Sequence, residues 1–134
     1  MKFDADLKQL HKMLAYVVQE GQKVDLPEDL LGTMEMCCEE ALVNIISYGN
    51  PSAQLDINCH SHKHRFEVTI RDSGTPFNPI ESDIDPQFDV PIAEREIGGL
   101  GIYIIRTMLD ESCYQRLGNE NILRLTLRLD AKSP

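Results

Sequence analysis

The sequence predicts an α+β fold: a two-layer sandwich of a mostly antiparallel, mixed sheet with helices on one face. Three observations carry this expectation. The apolar-alternating segments come as two hairpins rather than singly between helices. The amphipathic segments each carry one apolar stripe that needs a sheet or another helix to cover it. The order α-α-β-β, a long Pro- and Gly-rich stretch, then α-β-β, lacks the βα repetition of a parallel sheet.

Leu7, Leu10, Leu14, Val17 and Val18 fall at helical spacing, with Asp4 or Asp6 as N-cap and Gly21 as the stop. A second helix opens after Asp25-Leu26-Pro27-Glu28 and ends at Tyr48-Gly49-Asn50-Pro51. Its buried stripe is Leu31, Met34, Cys38, Ala41, Leu42 and Ile45. Ala53, Leu55, Ile57 and Cys59 alternate with polar residues, as do Phe66, Val68 and Ile70, and the polar run His60 to His64 is the turn between them. From Ser73 to Gly101 the chain holds Pro76, Pro79, Pro86 and Pro91 along with Gly74, Gly98, Gly99 and Gly101. A stretch of that length and composition reads as a functional loop or a disordered one. A third helix from Ile102 to about Leu109, and strands at 112–117 and 121–130, complete the chain.

The 134 residues suit one domain, spanning 1–134, with 42% apolar and 26% charged residues. Acidic residues outnumber basic ones 22 to 13, a formal charge of −9, so nucleic acid is an unfavourable partner. A small anion is still admissible, because backbone N–H groups and a metal ion bind phosphate without net positive charge. Cys37, Cys38, Cys59 and Cys113 do not form a disulfide framework, and no stretch reaches the length of a membrane span or a signal core. A soluble, cytoplasmic protein is expected. Cys59, His60, His62 and His64 have metal-ligand chemistry, but they surround a turn where polar residues are ordinary. The acidic Glu81, Asp83, Asp85 and Asp89 read as a solvated loop face.

Three places carry chemistry. In Glu40-Ala41-Leu42-Val43-Asn44 the spacing of four puts Glu40 and Asn44 on one helical face beside the buried stripe. A carboxylate there can serve as a general base and an amide oxygen as a Mg²⁺ ligand; alternatively this is a solvated polar face. Glu39 competes for the acidic role, but the helix turns it about 100° away. In Arg71-Asp72-Ser73-Gly74 an Asp at a strand end can accept from the exocyclic amine of adenine, and Gly74 lets a flat base approach the backbone; Asp-Ser-Gly is also common turn chemistry. In Gly98-Gly99-Leu100-Gly101 the glycines open a helix whose N–H groups can face an anion, or else form a hinge. It is not a dinucleotide fingerprint, since position 104 is Ile, nor a Walker A loop.

E-x-x-x-N on a helix, D-x-G after a strand and G-G-x-G before a helix, in that order, resemble the N, G1 and G2 boxes of the GHKL (Bergerat-fold) ATPases. The resemblance covers about Leu31 to Leu129. It is strongest to the compact RsbW/SpoIIAB-type anti-sigma factor serine/threonine kinases, through Glu39-Glu40-Ala41-Leu42-Val43-Asn44-Ile45-Ile46, Asp72-Ser73-Gly74-Thr75-Pro76-Phe77 and Glu94-Arg95-Glu96-Ile97-Gly98-Gly99-Leu100-Gly101-Ile102.

The resemblance implies that Glu40 activates the attacking hydroxyl, Asn44 ligates Mg²⁺, Asp72 reads adenine and Gly74 packs against the base. Gly98, Gly99, Leu100 and Gly101 would cradle phosphates, with Arg95 and Arg106 as charge contacts and 75–98 as a flexible lid over ATP. It further implies phosphorylation of a STAS-type anti-anti-sigma protein, binding of a sigma factor and a possible homodimer; the alternative is an ATP/ADP-sensing binding module with little transfer. A histidine kinase is disfavoured, because no helix carries a phosphoacceptor in a dimerisation context and His11 sits in a short helix. The chain departs from the pattern at two places. Asn119-Glu120-Asn121-Ile122-Leu123 stands where many members carry a Gly-Thr pair that helps hold adenine, with Ile122 in place of Thr. Met1-Lys2-Phe3 leaves little of the edge strand that often precedes the first helix.

Overall fold

The computed structural model describes residues 1–81 and 99–129, with the backbone alone at 99 and 100. Five strands and three α-helices follow in the order β1 (Lys2–Asp4), a 3₁₀ turn (Leu7–Gln9), α1 (Leu10–Lys23), α2 (Glu28–Tyr48), β2 (Gln54–His62), β3 (Arg65–Asp72), α3 (Gly99–Met108), β4 (Glu111–Leu117) and β5 (Glu120–Arg128). The sheet order is β1-β2-β3-β5-β4, so β5 lies between β3 and β4. Every pairing among the described strands is antiparallel, which corrects the expectation of a mixed sheet.

The start of the chain differs from expectation too. Lys2–Asp4 does form an edge strand, registered Phe3 to Leu55, and buries the Phe3 ring against the core. Three residues suffice because Met1 extends the pairing: its carbonyl accepts from the Ile57 N–H and its amine pairs with Asp56.

Asp6 caps the first helical turn, its side chain accepting from the Lys8 N–H at 2.9 Å. Gly21 does not stop α1. The helix runs on to Lys23 and ends where Asp25 takes a left-handed φ of 58°, with the Leu26 N–H returning to the Gly21 carbonyl at 3.0 Å. What Gly21 does is let α2 approach, since a Cβ there would come within 2.5 Å of Leu31 Cδ1. The predicted stripe of α2 is buried throughout, and its end at Tyr48-Gly49 matches the expectation.

Between β2 and β3 the turn is shorter than the predicted polar run. Lys63 and His64, at φ 46° and 65°, make a two-residue connection whose left-handed residues suit the strand twist. His60 and His62 therefore belong to β2, on the opposite sheet face from Cys59. Among the described residues, no three His, Cys, Asp or Glu side chains form a metal-holding group.

One face of the sheet carries Leu55, Ile57, Phe66, Val68, Ile70, Leu123, Leu125 and Leu127, which pack with Met13, Val17, Met34, Leu42 and Ile105 of the helices into one core. The other face is polar and laced across strands, for example Arg124 to Glu67 and Arg128 to Glu111. The alternation of β3 and β5 thus sets which residues at the sheet's end can face the helices: Asp72 and Asn121, paired in register, both do. Among the described residues no helix is long and apolar enough to cross a membrane.

Candidate functional site

Glu40 and Asn44 lie one turn apart on α2, and α2 packs against α3. Glu40 is half-buried and Glu39 is exposed, as the helical geometry required. The Glu40 carboxyl reaches the first turn of α3: Gly101 is packed so tightly on it that a Cβ at 101 would overlap Glu40 Oε2. Burial, and then the neighbouring negative charge of Glu39, push the Glu40 carboxyl above the ordinary glutamate range.

Asn44 is buried, and its Nδ2 donates to the Pro79 carbonyl at 3.4 Å. A carbonyl only accepts, so the amide's NH₂ end must face Pro79. Oδ1 is then turned the other way, and no described residue donates to it. A neutral amide oxygen of this kind is a suitable ligand for a hard cation such as Mg²⁺.

At the far end, Asp72 is buried, and its Oδ1 accepts from the Gly74 N–H at 2.7 Å and from Asn121 Nδ2 at 3.3 Å. No described residue donates to its Oδ2, which remains an acceptor for an amine. Gly74 is half-buried, and its Cβ side alone is closed by backbone: a Cβ there would stand 2.5 Å from the Asn50 carbonyl oxygen and 2.6 Å from Pro51 Cα. Backbone cannot rotate aside as a side chain can. Gly74→Ala is therefore expected to lower stability by about 1–3 kcal/mol, read as a lower denaturation midpoint at unchanged slope.

Asn121 and Arg116 were not singled out by sequence reasoning. Asn121 is buried and spans the end of the sheet and the loop after it: Nδ2 also donates to the Thr75 carbonyl at 2.8 Å, and Oδ1 accepts from the Phe77 N–H at 3.2 Å and the Tyr114 hydroxyl at 2.5 Å. Arg116 donates to the Gly74 carbonyl at 2.9 Å. The signal available was the alternation of β5, where Asn121 occupies the inward register of Leu123, Leu125 and Leu127. The concern over Ile122 is corrected by that register. Ile122 pairs with Arg71 and Gln115 on the other face, and the polar neighbour of Asp72 is Asn121.

Gly99 and Gly101 do open α3, whose first-turn N–H groups have no carbonyl within the helix to pair with. Arg106 is exposed, turned about 140° from Gly101 around that helix, and is not brought to the Glu40 side. Arg95 and Gly98 lie outside the described residues, as do the Leu100 side chain and most of the expected lid. The part of the lid that is described, 75–81, is tied down by Asn44, Asn121 and a bond from Thr75 Oγ1 to the Gly49 carbonyl.

A carboxylate at the first turn of α3, an amide oxygen one turn along α2 and a second carboxylate at the sheet's end are suited to a metal-bound phosphate chain at one end and an aminated base at the other. The sequence profile of the histidine kinase-like ATPase domain matches residues 3–127. The chain belongs to this family. Among curated relatives of this domain, it is 28% identical to the serine/threonine-protein kinase BtrW of Bordetella bronchiseptica, over 70% of this chain and 68% of that one. It is also 28% identical to the serine-protein kinase RsbW of Bacillus mycoides, over 62% of this chain and 55% of that one, so the match spans only about half of RsbW. Histidine kinase-like ATPase domains of known structure share the fold. The Acinetobacter baumannii histidine kinase AdeS superposes with a TM-score of 0.56 at 14% identity, covering 97% of this chain and 68% of that one. The catalytic domain of histidine kinase ThkA gives 0.54 at 14% identity, covering 96% and 95%.

Proposed function

We propose that the chain is an anti-sigma regulatory serine/threonine protein kinase that binds Mg-ATP and phosphorylates a STAS-type anti-anti-sigma protein. The observation that carries this reading is the meeting of Glu40 with the first turn of α3, one helical turn from Asn44 Oδ1, to which no described residue donates. Similarity to BtrW and RsbW supports the serine or threonine acceptor.

In this reading Asp72 Oδ2 accepts from the adenine amine, and the base lies against Gly74. The N–H groups at the start of α3 face the phosphates, where the helix dipole favours negative charge. Asn44 Oδ1 would hold Mg²⁺, which supplies neutralisation of phosphate charge when bound. Glu40 takes the proton of the acceptor hydroxyl while that oxygen bonds to the γ-phosphorus and the bond to ADP breaks. A raised pKa suits this role, because the proton affinity of the base is brought nearer to working pH. A sigma factor is the partner expected when the antagonist is phosphorylated.

Calorimetric titration of ATP and ADP, with and without Mg²⁺, tests the reading. Micromolar, Mg²⁺-dependent binding is expected; no binding under either condition would remove its basis.

A further inference from the structure

The arginines of the sheet are engaged with one exception. Arg65 and Arg128 meet Glu111, Arg124 meets Glu67, and Arg116 donates to the Gly74 carbonyl. Among the described residues Arg71 has no hydrogen bond or ion pair, although it is half-buried. Its partner in register on β2, Asp56, is already taken: Oδ1 accepts from the Met1 amine at 3.1 Å and from Asn58 Nδ2 at 3.3 Å. Asp72 faces the helices, so strand alternation turns its neighbour Arg71 to the opposite face of the sheet.

A cavity of about 230 Å³ lies there, lined by Arg71, Ser73, Gln54, Glu120 and Lys2 among others. Glu120 is half-buried too, and it has no bond among the described residues. Ile122 stands opposite Arg71, so Glu120, two residues before it, is the diagonal neighbour of Arg71 on the same face, at about 7–8 Å between backbones. Two opposite charges within reach of each other therefore line one cavity without meeting. Each has given up part of its water without gaining a partner. The volume exceeds the roughly 150 Å³ of a cavity that takes benzene and falls below the roughly 300–1,000 Å³ of pockets for drug-sized ligands.

We propose that this cavity binds a small zwitterion, a free α-amino acid: the Arg71 guanidinium takes the carboxylate through its paired N–H groups, and Glu120 takes the ammonium group. A simple anion would satisfy Arg71 and be repelled by Glu120, and a simple amine would do the reverse. Lys2 adds a second cation to the lining, which further disfavours a ligand carrying an amine alone. The site lies on the opposite face of the sheet from the Asp72 carboxyl and does not rest on the nucleotide reading.

NMR titration of the wild type with the common L-amino acids, each added singly to about 10 mM, tests the proposal. At least one is expected to bind with a millimolar or lower Kd and to shift backbone amides at 52–56, 71–73 and 120. Acetate and methylamine, which carry one charge each, should bind at least about tenfold more weakly. Arg71→Gln and Glu120→Gln should each weaken the amino acid by about tenfold or more. Neither side chain has a described bond to lose, so both variants should melt as the wild type does. No shift with any amino acid overturns the proposal, and the wild type alone gives that answer. Acetate binding as tightly as the amino acid, or amino-acid binding untouched by Glu120→Gln, overturns it as well, leaving a plain anion site.

Discussion

Glu40→Ala is expected to leave ATP binding intact and to reduce phosphoryl transfer by roughly 10²–10⁴-fold, the range for loss of a positioned general base. Calorimetry reads the first quantity, and single-turnover transfer from labelled ATP to the acceptor protein reads the second. Retained transfer would show that another group takes the hydroxyl proton. Binding survives because the residues proposed to read the base and hold the metal, Asp72 and Asn44, are separate from Glu40.

As the proposed base, the same carboxyl would set the acid side of the pH profile. Its pKa is raised by burial and by Glu39, and the base acts only when ionised. Transfer should therefore climb with pH through a value above the ordinary glutamate range and then level off. The stability consequence has the opposite sign. A folded-state pKa above the unfolded one favours the protonated form in the fold, so this group's contribution is full below the unfolded pKa and is lost as pH rises through the folded one. At neutral pH Glu40→Ala is thus expected to be no less stable than the wild type, which separates a chemical defect from a folding one.

Much of this site was legible in the sequence, because its parts obey short-range rules. The i, i+4 spacing alone put Glu40 and Asn44 on one face and turned Glu39 outward, as the structure shows. The inward alternation of β3, read through Ile70, placed Asp72 at a strand end. What was missed depends on pairing between strands distant in sequence. Asn121 and Asp72 meet only because β5 inserts between β3 and β4, and a one-residue misreading of register exchanges Asn121 for Ile122. Gly21 was misread for a related reason. As a local signal it ends a helix, and only the packing of Leu31 against it explains a glycine inside α1. The Lys2–Asp4 strand is too short to have an apolar pattern of its own and exists through its partner, β2.

Gly101→Ala is expected to suppress transfer by about 10²-fold while leaving stability unchanged or slightly raised. A Cβ at 101 would overlap Glu40 Oε2, the far end of a flexible side chain, so the carboxylate swings aside instead of the helices separating. Alanine is also the better helix former by up to about 1 kcal/mol. The cost falls on chemistry, since displacing a reacting group by about 1 Å lowers rate by about 10²-fold. Thermal melts and single-turnover transfer should therefore disagree, with an intact melt beside a slow reaction. The double variant decides how Gly101 acts. In a Glu40→Ala background there is no carboxylate to displace, so Gly101→Ala should cost nothing further in transfer or in ATP affinity. A further loss of ATP affinity in that background would mean that position 101 must stay bare for the phosphates themselves, and that its contact with Glu40 is incidental.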